Sequence, residues 1–170
     1  MDEKKQKRID AAIQKYNSYS SEWEKIFFDK CSGGYNVYHK RHQFASTGGG
    51  GEAEKVVGKM LAKYNGKQVE FLPEGEKKSP DVFFDNKTWD IKWIDNANET
   101  TIRNHIKDAR KAENVIFYWN TNEKLIDLTN AANREIGRLI KGQISNLPDI
   151  YYIDNKGLLK LLWKKQKGAK

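Results

Sequence analysis

The stretch Ser79-Pro80-Asp81-Val82-Phe83-Phe84-Asp85-Asn86-Lys87-Thr88-Trp89-Asp90-Ile91-Lys92-Trp93 constrains the fold more than any other part of the chain. Two short runs of β-branched and aromatic residues flank Asp85-Asn86-Lys87, a composition that suits a tight turn. The pattern predicts a β-hairpin with strands over 81–84 and 88–94. Side chains alternate faces along a strand, so Trp89, Ile91 and Trp93 share one face while Asp90 and Lys92 share the other. With Asn86 and Lys87 as the central turn residues, Phe84 faces Trp89, Val82 faces Ile91 and Asp81 faces Lys92. Asp81, Asp90 and Lys92 then converge on one face with an apolar layer behind them. A slip of one residue would send Asp81 to the opposite face.

Two carboxylates and a lysine on one sheet face are costly to bury and unnecessary for folding. A hairpin face that is simply charged and solvated is the plain alternative. Read chemically, the two acids make a hard oxygen site suited to Mg²⁺ or Mn²⁺. The lysine can polarise a water or stabilise negative charge on a phosphate.

The hairpin sits within a regular order of elements. Residues 2–16 read as a charged helix, and Ser21-Glu22-Trp23-Glu24 is a capping-box pattern that predicts a second short helix through Phe28. Gly33-Gly34 ends that unit, so 1–34 is expected as an N-terminal helical extension or linker and 35–170 as the main domain. Gly48 to Gly51 lead into a helix with Ala53, Val56, Val57, Met60 and Leu61 at helical spacing, stopped at Asn65-Gly66. Strands follow at 68–72, 81–84 and 88–94, then a helix over 98–112, a strand at 114–119, a helix over 131–141 and a strand at 150–153. Residues 158–163 read as strand or helix. The order predicts a mixed α/β domain with a central sheet flanked by helices.

Composition narrows the function. The chain of 170 residues has 31 basic and 23 acidic side chains, a formal net charge of +8. Residues 156–170 hold six lysines and no acid. An anionic partner, most often nucleic acid, fits this balance, although a lysine-rich tail also serves as a solubilising end. No apolar run approaches the roughly 20 residues of a membrane helix, and the charged N-terminus lacks the apolar segment of a signal peptide. The single cysteine, Cys31, excludes an internal disulfide framework and a cysteine-rich zinc site. Gly48 to Gly51 lack the Lys-Ser/Thr ending of a phosphate loop, which disfavours an NTPase.

Pro80-Asp81, eight residues, then Asp90-Ile91-Lys92 resembles the motif of the PD-(D/E)XK nuclease superfamily, and the flanking helices and strands resemble its α-β-β-β-α-β core. Within that superfamily the phrases GEAEKVVGKMLAKYNGKQVEFLPEG, KSPDVFFDNKTWDIKW and TIRNHIKDARKAENVIFYW resemble C-terminal toxin domains of bacterial contact-dependent growth inhibition proteins. The resemblance covers 51–119 and implies a PD-(D/E)XK-like α/β fold and a metal-dependent endonuclease. Its implied substrate is RNA, most of all tRNA, cut by hydrolysis or transesterification in a bacterial cytoplasm. It implies Asp81, Asp90 and the Ile91 carbonyl as metal ligands, Lys92 as the catalytic lysine, and Glu54, or else Glu52, as a further acid. Mg²⁺ is the expected metal, with Mn²⁺ or Zn²⁺ as alternatives, and a cognate immunity protein the expected partner, with no membrane. Relatives often carry a supporting Gln on the helix after the hairpin; here the candidates are Asn104 and His105, with Thr101 one turn earlier.

Other residues are weaker candidates. His39-Lys40-Arg41-His42 could hold a phosphate or serve acid–base chemistry, and a metal-independent RNase using His39, His42 and Lys92 is conceivable. A solvated basic loop at the rim of the site is the plainer reading. Arg134 and Arg138 recur on one helix face and could contact a nucleic-acid backbone, or form a solvated face. A DNA endonuclease of the same fold and a non-catalytic nucleic-acid-binding module remain as alternatives.

Overall fold

The computed structural model describes residues 2–44, 49–75, 79–119 and 121–165. The last residues of the basic tail, 166–170, and Gly48 lie outside them. The elements in chain order are α1 (Glu3–Ser18), β1 (Trp23–Phe28), β2 (Tyr35–His39), α2 (Gly50–Asn65), β3 (Gln68–Phe71), β4 (Val82–Phe84), β5 (Lys87–Ile94), α3 (Glu99–Asp108), β6 (Asn114–Trp119), α4 (Leu125–Lys141), β7 (Asp149–Ile153) and β8 (Leu159–Trp163), with a 3₁₀ turn at Ala109–Lys111 after α3. The strands form one mixed sheet in the order β1 to β8. The steps from β2 to β3, β5 to β6 and β6 to β7 are parallel and carry α2, α3 and α4; the other pairs are antiparallel. This is the helix-flanked mixed sheet that the order of elements predicts.

Each sheet face has its own apolar layer. Val57 and Leu61 of α2 pack on Val69, Phe71, Val82, Phe84, Trp89, Ile91 and Ile116. On the other face, Ile102 and Ile106 of α3 and Ala131, Ala132, Ile136 and Leu139 of α4 pack on Ile94, Val115, Phe117 and Ile150. Trp89 stacks on Phe84 with ring centroids 4.3 Å apart, and its indole N–H donates to the Phe84 carbonyl. In β5, Asp90 and Lys92 are therefore polar interruptions on the face that α3 and α4 cover.

Three local expectations are corrected. Residues 23–28 form a strand, not the helix that the capping-box pattern predicts. Trp-Glu-Lys-Ile-Phe-Phe is β-prone, and pairing with β2 through the turn at Asp29–Gly34 outweighs the weak local cap signal. The first part of the chain thus extends the sheet, and β2 begins directly after Gly34. The central turn residues of the key hairpin are Asp85 and Asn86, with φ of 52° and 58°, the left-handed backbone that a two-residue hairpin turn requires. Val82 pairs with Trp89 and not with Ile91. The register moves by two positions, so every side chain keeps its face and Asp81 stays with Asp90 and Lys92. Finally, α4 begins six residues before Ala131, and residues 159–163 are strand.

Gly34 shows how closely the β1–β2 turn approaches α2. A Cβ built there would lie 2.1 Å from the Ala62 carbonyl oxygen, a backbone atom that cannot rotate away. Gly34→Ala is expected to cost about 3 kcal/mol, at the upper end for overpacking. Urea unfolding would measure it; a loss under about 0.5 kcal/mol, the range of ordinary surface substitutions, would show that the turn has room to give.

Candidate active site

The later part of β5, Glu74 beyond β3, the segment before β4, the start of α2 and one side of α3 line a pocket of about 550 Å³. Glu54, Asp81, Ile91, Lys92, Trp93, Thr101 and His105 line it. Asp81 lies immediately before β4. Its Oδ2 accepts the Ile91 N–H at 2.8 Å, so the carboxylate is fixed by the backbone of the strand it faces. Asp90 lies beside it with its side chain 0% exposed. Lys92 Nζ stands 2.8 Å from Asp90 Oδ2. The sequence motif thus folds into one cluster, as the alternation of β5 requires.

A residue the motif does not contain completes the cluster. Lys111, on the 3₁₀ turn after α3, places Nζ 3.0 Å from Asp90 Oδ1 and 3.3 Å from Asp81 Oδ1. Nothing local marks it: it is one of many lysines, and only the turn of the chain after α3 brings it to the acids. Neither Asp90 oxygen accepts a well-directed hydrogen bond; both are buried and face ammonium groups. Burial first, and then the adjacent Asp81 carboxyl, push the Asp90 carboxyl up to about 7, against the opposing pull of Lys92 and Lys111. For Lys111, burial opposes the charge, but Asp81 and Asp90 outweigh it and hold the ammonium above its usual value.

Glu54 and His42 form a second pair at the pocket wall. Glu54 lies in the second turn of α2, nearly buried, with Oε2 3.2 Å from His42 Nε2. The other ring nitrogen, Nδ1, lies 2.7 Å from the Leu72 carbonyl. Both nitrogens therefore face acceptors, which only the doubly protonated ring can satisfy. Burial works against that charge, yet Glu54, the Leu72 carbonyl and Asp81 together raise the His42 pKa. His105 shows the reverse: burial and the nearby Lys92 lower it, against Asp108, Asp90 and Asp95.

The remaining predicted residues sit elsewhere. Glu52 is exposed and pairs with Lys55. Of the two acids on α2, the fold brings Glu54 to the pocket. His39 is buried edge-on to Trp23 and accepts the Arg41 N–H, a packing role. Arg41 donates to the Glu74 carbonyl. Arg134 and Arg138 are committed to Glu99, and Arg138 also to the buried Glu135, which Arg103 holds from α3. These ion pairs tie α3 to α4 outside the pocket. Of the candidates on α3, Thr101 and His105 reach the pocket lining while Asn104 is exposed.

Among the described residues, no group of three or more His, Cys, Asp or Glu side chains is close enough to hold a metal. The acid pair still fits a divalent cation in kind. Asp81 and Asp90 supply adjacent hard oxygens, two of them buried without hydrogen bonds, and the space between them already holds positive charge. Glu54 lines the same pocket but is engaged by His42.

Residues 77–159 match the family described as the contact-dependent growth inhibition CdiA C-terminal domain. That stretch holds Asp81, Asp90, Lys92, His105 and Lys111. No curated protein matches the chain. Among solved structures, a CdiA-CT/CdiI toxin and immunity complex from Burkholderia pseudomallei is similar, with a TM-score of 0.49 and 19% identity over 67% of this chain and 84% of that one. Among the described residues, no helix is long and apolar enough to cross a membrane.

Proposed function

We propose that this chain is the catalytic toxin domain of a contact-dependent growth inhibition system, a divalent-metal-dependent endonuclease of PD-(D/E)XK type that cleaves RNA, tRNA foremost. The observation that carries the reading is the clustering of Asp81, Lys92 and the buried Asp90 beside an open pocket that Asp81 and Lys92 line, inside the family-matched stretch. Asp81 and Asp90, with the Ile91 carbonyl, would hold the metal; Mg²⁺ or Mn²⁺ suits these oxygens better than Zn²⁺, which favours nitrogen and sulfur. Such an ion stabilises charge on the scissile phosphate and lowers the pKa of a bound water. Lys92 supplies a fixed positive charge beside the acid pair, 18% exposed and so able to meet a phosphate oxygen from the pocket side. His105, held toward its neutral form, can accept a proton within the same pocket. Glu54 and His42 brace the wall opposite α3.

A cell that makes such a catalyst must restrain it, so a cognate immunity protein is part of the proposal, and the site of action is the cytoplasm of the target bacterium. One gel tests the core of it. Wild type is incubated with total tRNA and with plasmid DNA in Mg²⁺, in Mn²⁺ and in EDTA. Discrete tRNA fragments, formed only with metal, are expected. Cleavage of plasmid and not tRNA would replace the substrate with DNA. Cleavage that persists in excess EDTA would replace the metal with histidine chemistry, and no cleavage of either substrate would sink the enzymatic reading.

A further inference from the structure

We infer that Lys111 is a resident counter-cation of the acid pair, and that a divalent cation must displace it in order to bind; this rests on the metal-dependent reading above. The Lys111 ammonium bridges both acids, at 3.0 Å from Asp90 Oδ1 and 3.3 Å from Asp81 Oδ1. A hard cation binding the same two oxygens would take them at roughly 2.0–2.6 Å. The ammonium and the ion would then claim nearly the same point, and their mutual repulsion at such a separation forbids sharing it. Lys92 does not stand in the way in the same manner: it meets Asp90 through the other oxygen, Oδ2, from the pocket side.

The chain around Lys111 is built to hold the backbone and free the side chain. Ala109 and Ala112 are buried on either side of it, and the Ala112 N–H closes the 3₁₀ turn on the Ala109 carbonyl. The Lys111 side chain is 21% exposed, so the head of a flexible four-carbon stem has a path to solvent. Asp90 explains why such a cation is present at all. Its two oxygens are fully buried with no well-directed hydrogen bond, and the Asp81 carboxylate is adjacent. When both are ionised, two neighbouring buried carboxylates need positive charge beside them. Lys111 supplies it without metal, and yields it when the metal arrives. The apparent metal affinity is therefore a difference between two cations competing for one acid pair.

The test is a calorimetric titration of Mn²⁺ into wild type, Lys111→Met and the double variant Asp81→Asn/Asp90→Asn. Methionine keeps the length and the apolar stem while removing the charge. Lys111→Met is expected to bind about tenfold tighter than wild type or better, and the double variant not at all. Equal or weaker binding by Lys111→Met overturns the inference and leaves the metal site standing. Absence of binding in both wild type and Lys111→Met overturns the metal reading itself. If Lys111→Met does not fold, wild type carries the test: acetic anhydride labelling with peptide mass spectrometry, in EDTA and in Mg²⁺ at a concentration shown by calorimetry to saturate. Lys111 is expected to react slowly in EDTA and several-fold faster with Mg²⁺, while the exposed Lys4 reacts equally in both. Unchanged Lys111 reactivity under saturating Mg²⁺ overturns the inference.

Discussion

Asp90→Asn is expected to lower the rate of tRNA cleavage by about 10³-fold or more while leaving the fold intact. The amide has nearly the shape of the carboxyl, so Trp89, Ile91 and the β5 ladder beneath it need not move. What is lost is one of two negative charges that face Lys92 and Lys111 and that would hold the metal. An interaction that acts on charge developing at phosphorus appears in kcat and kcat/KM together, so both fall. Asp81→Asn is expected to behave alike, since its amide oxygen can still accept the Ile91 N–H. Arg138→Ala, which cuts an ion pair between α3 and α4, is expected to change the rate less than about threefold. Initial rates from a gel time course, with circular dichroism to verify folding, measure all three. An Asp90→Asn protein that keeps a tenth of the wild-type rate would remove Asp90 from the chemistry.

The second large effect is on stability. In EDTA, the protein is expected to lose about 2 kcal/mol between pH 5 and pH 7, and Asp90→Asn is expected to abolish most of that loss. The Asp90 carboxyl rises from its ordinary 3.8 to about 7 in the fold, so the native state keeps a proton that the unfolded chain has released. A group raised in this way contributes stability in full below its unfolded pKa and loses it as pH climbs through the folded value. His42 is also raised, so its contribution is present below about 6.5 and fades above. The two slopes add. Asp29 and Glu99 are lowered and gain stability with pH, but in the acid range, below the window. Urea unfolding midpoints at pH 5, 6, 7 and 8 read the slope directly. A wild-type curve flat across that window would mean that Lys92 and Lys111 fully neutralise Asp90.

The site was partly legible because its core lies in one hairpin. Asp81, Asp90 and Lys92 could be placed on one face from alternation alone, and that placement survived a turn shifted by one residue because the partner register moved by an even number. The two acids on α2 could not be separated from sequence. Glu52 and Glu54 differ by about 200° around the helix, and the docking of α2 on the sheet decides which one reaches the pocket. Residues 23–28 misled because a capping pattern is a local signal, while strand pairing with Tyr35–His39 is a contact between segments. The basic cluster read as loop divides for the same reason: His39 packs on Trp23, and His42 turns inward to Glu54.

The amino-acid sequence alone determined the order of elements from α2 to β7, the hairpin and the side of the sheet on which its charges fall, because these follow from periods of 2 and 3.6 residues and from turn chemistry within a few positions. The tertiary structure alone decided that Lys111 stands between Asp81 and Asp90, that His42 grips Glu54, and that Arg134 and Arg138 are spent on Glu99 and Glu135. Apart from Arg138–Glu135 within α4, each of those contacts joins separate parts of the fold. Their geometry depends on how helices dock and where the chain turns after α3, and no local pattern encodes it. The charge state of Asp90 belongs with them, since burial and the neighbours that set it exist only once the sheet has closed around it.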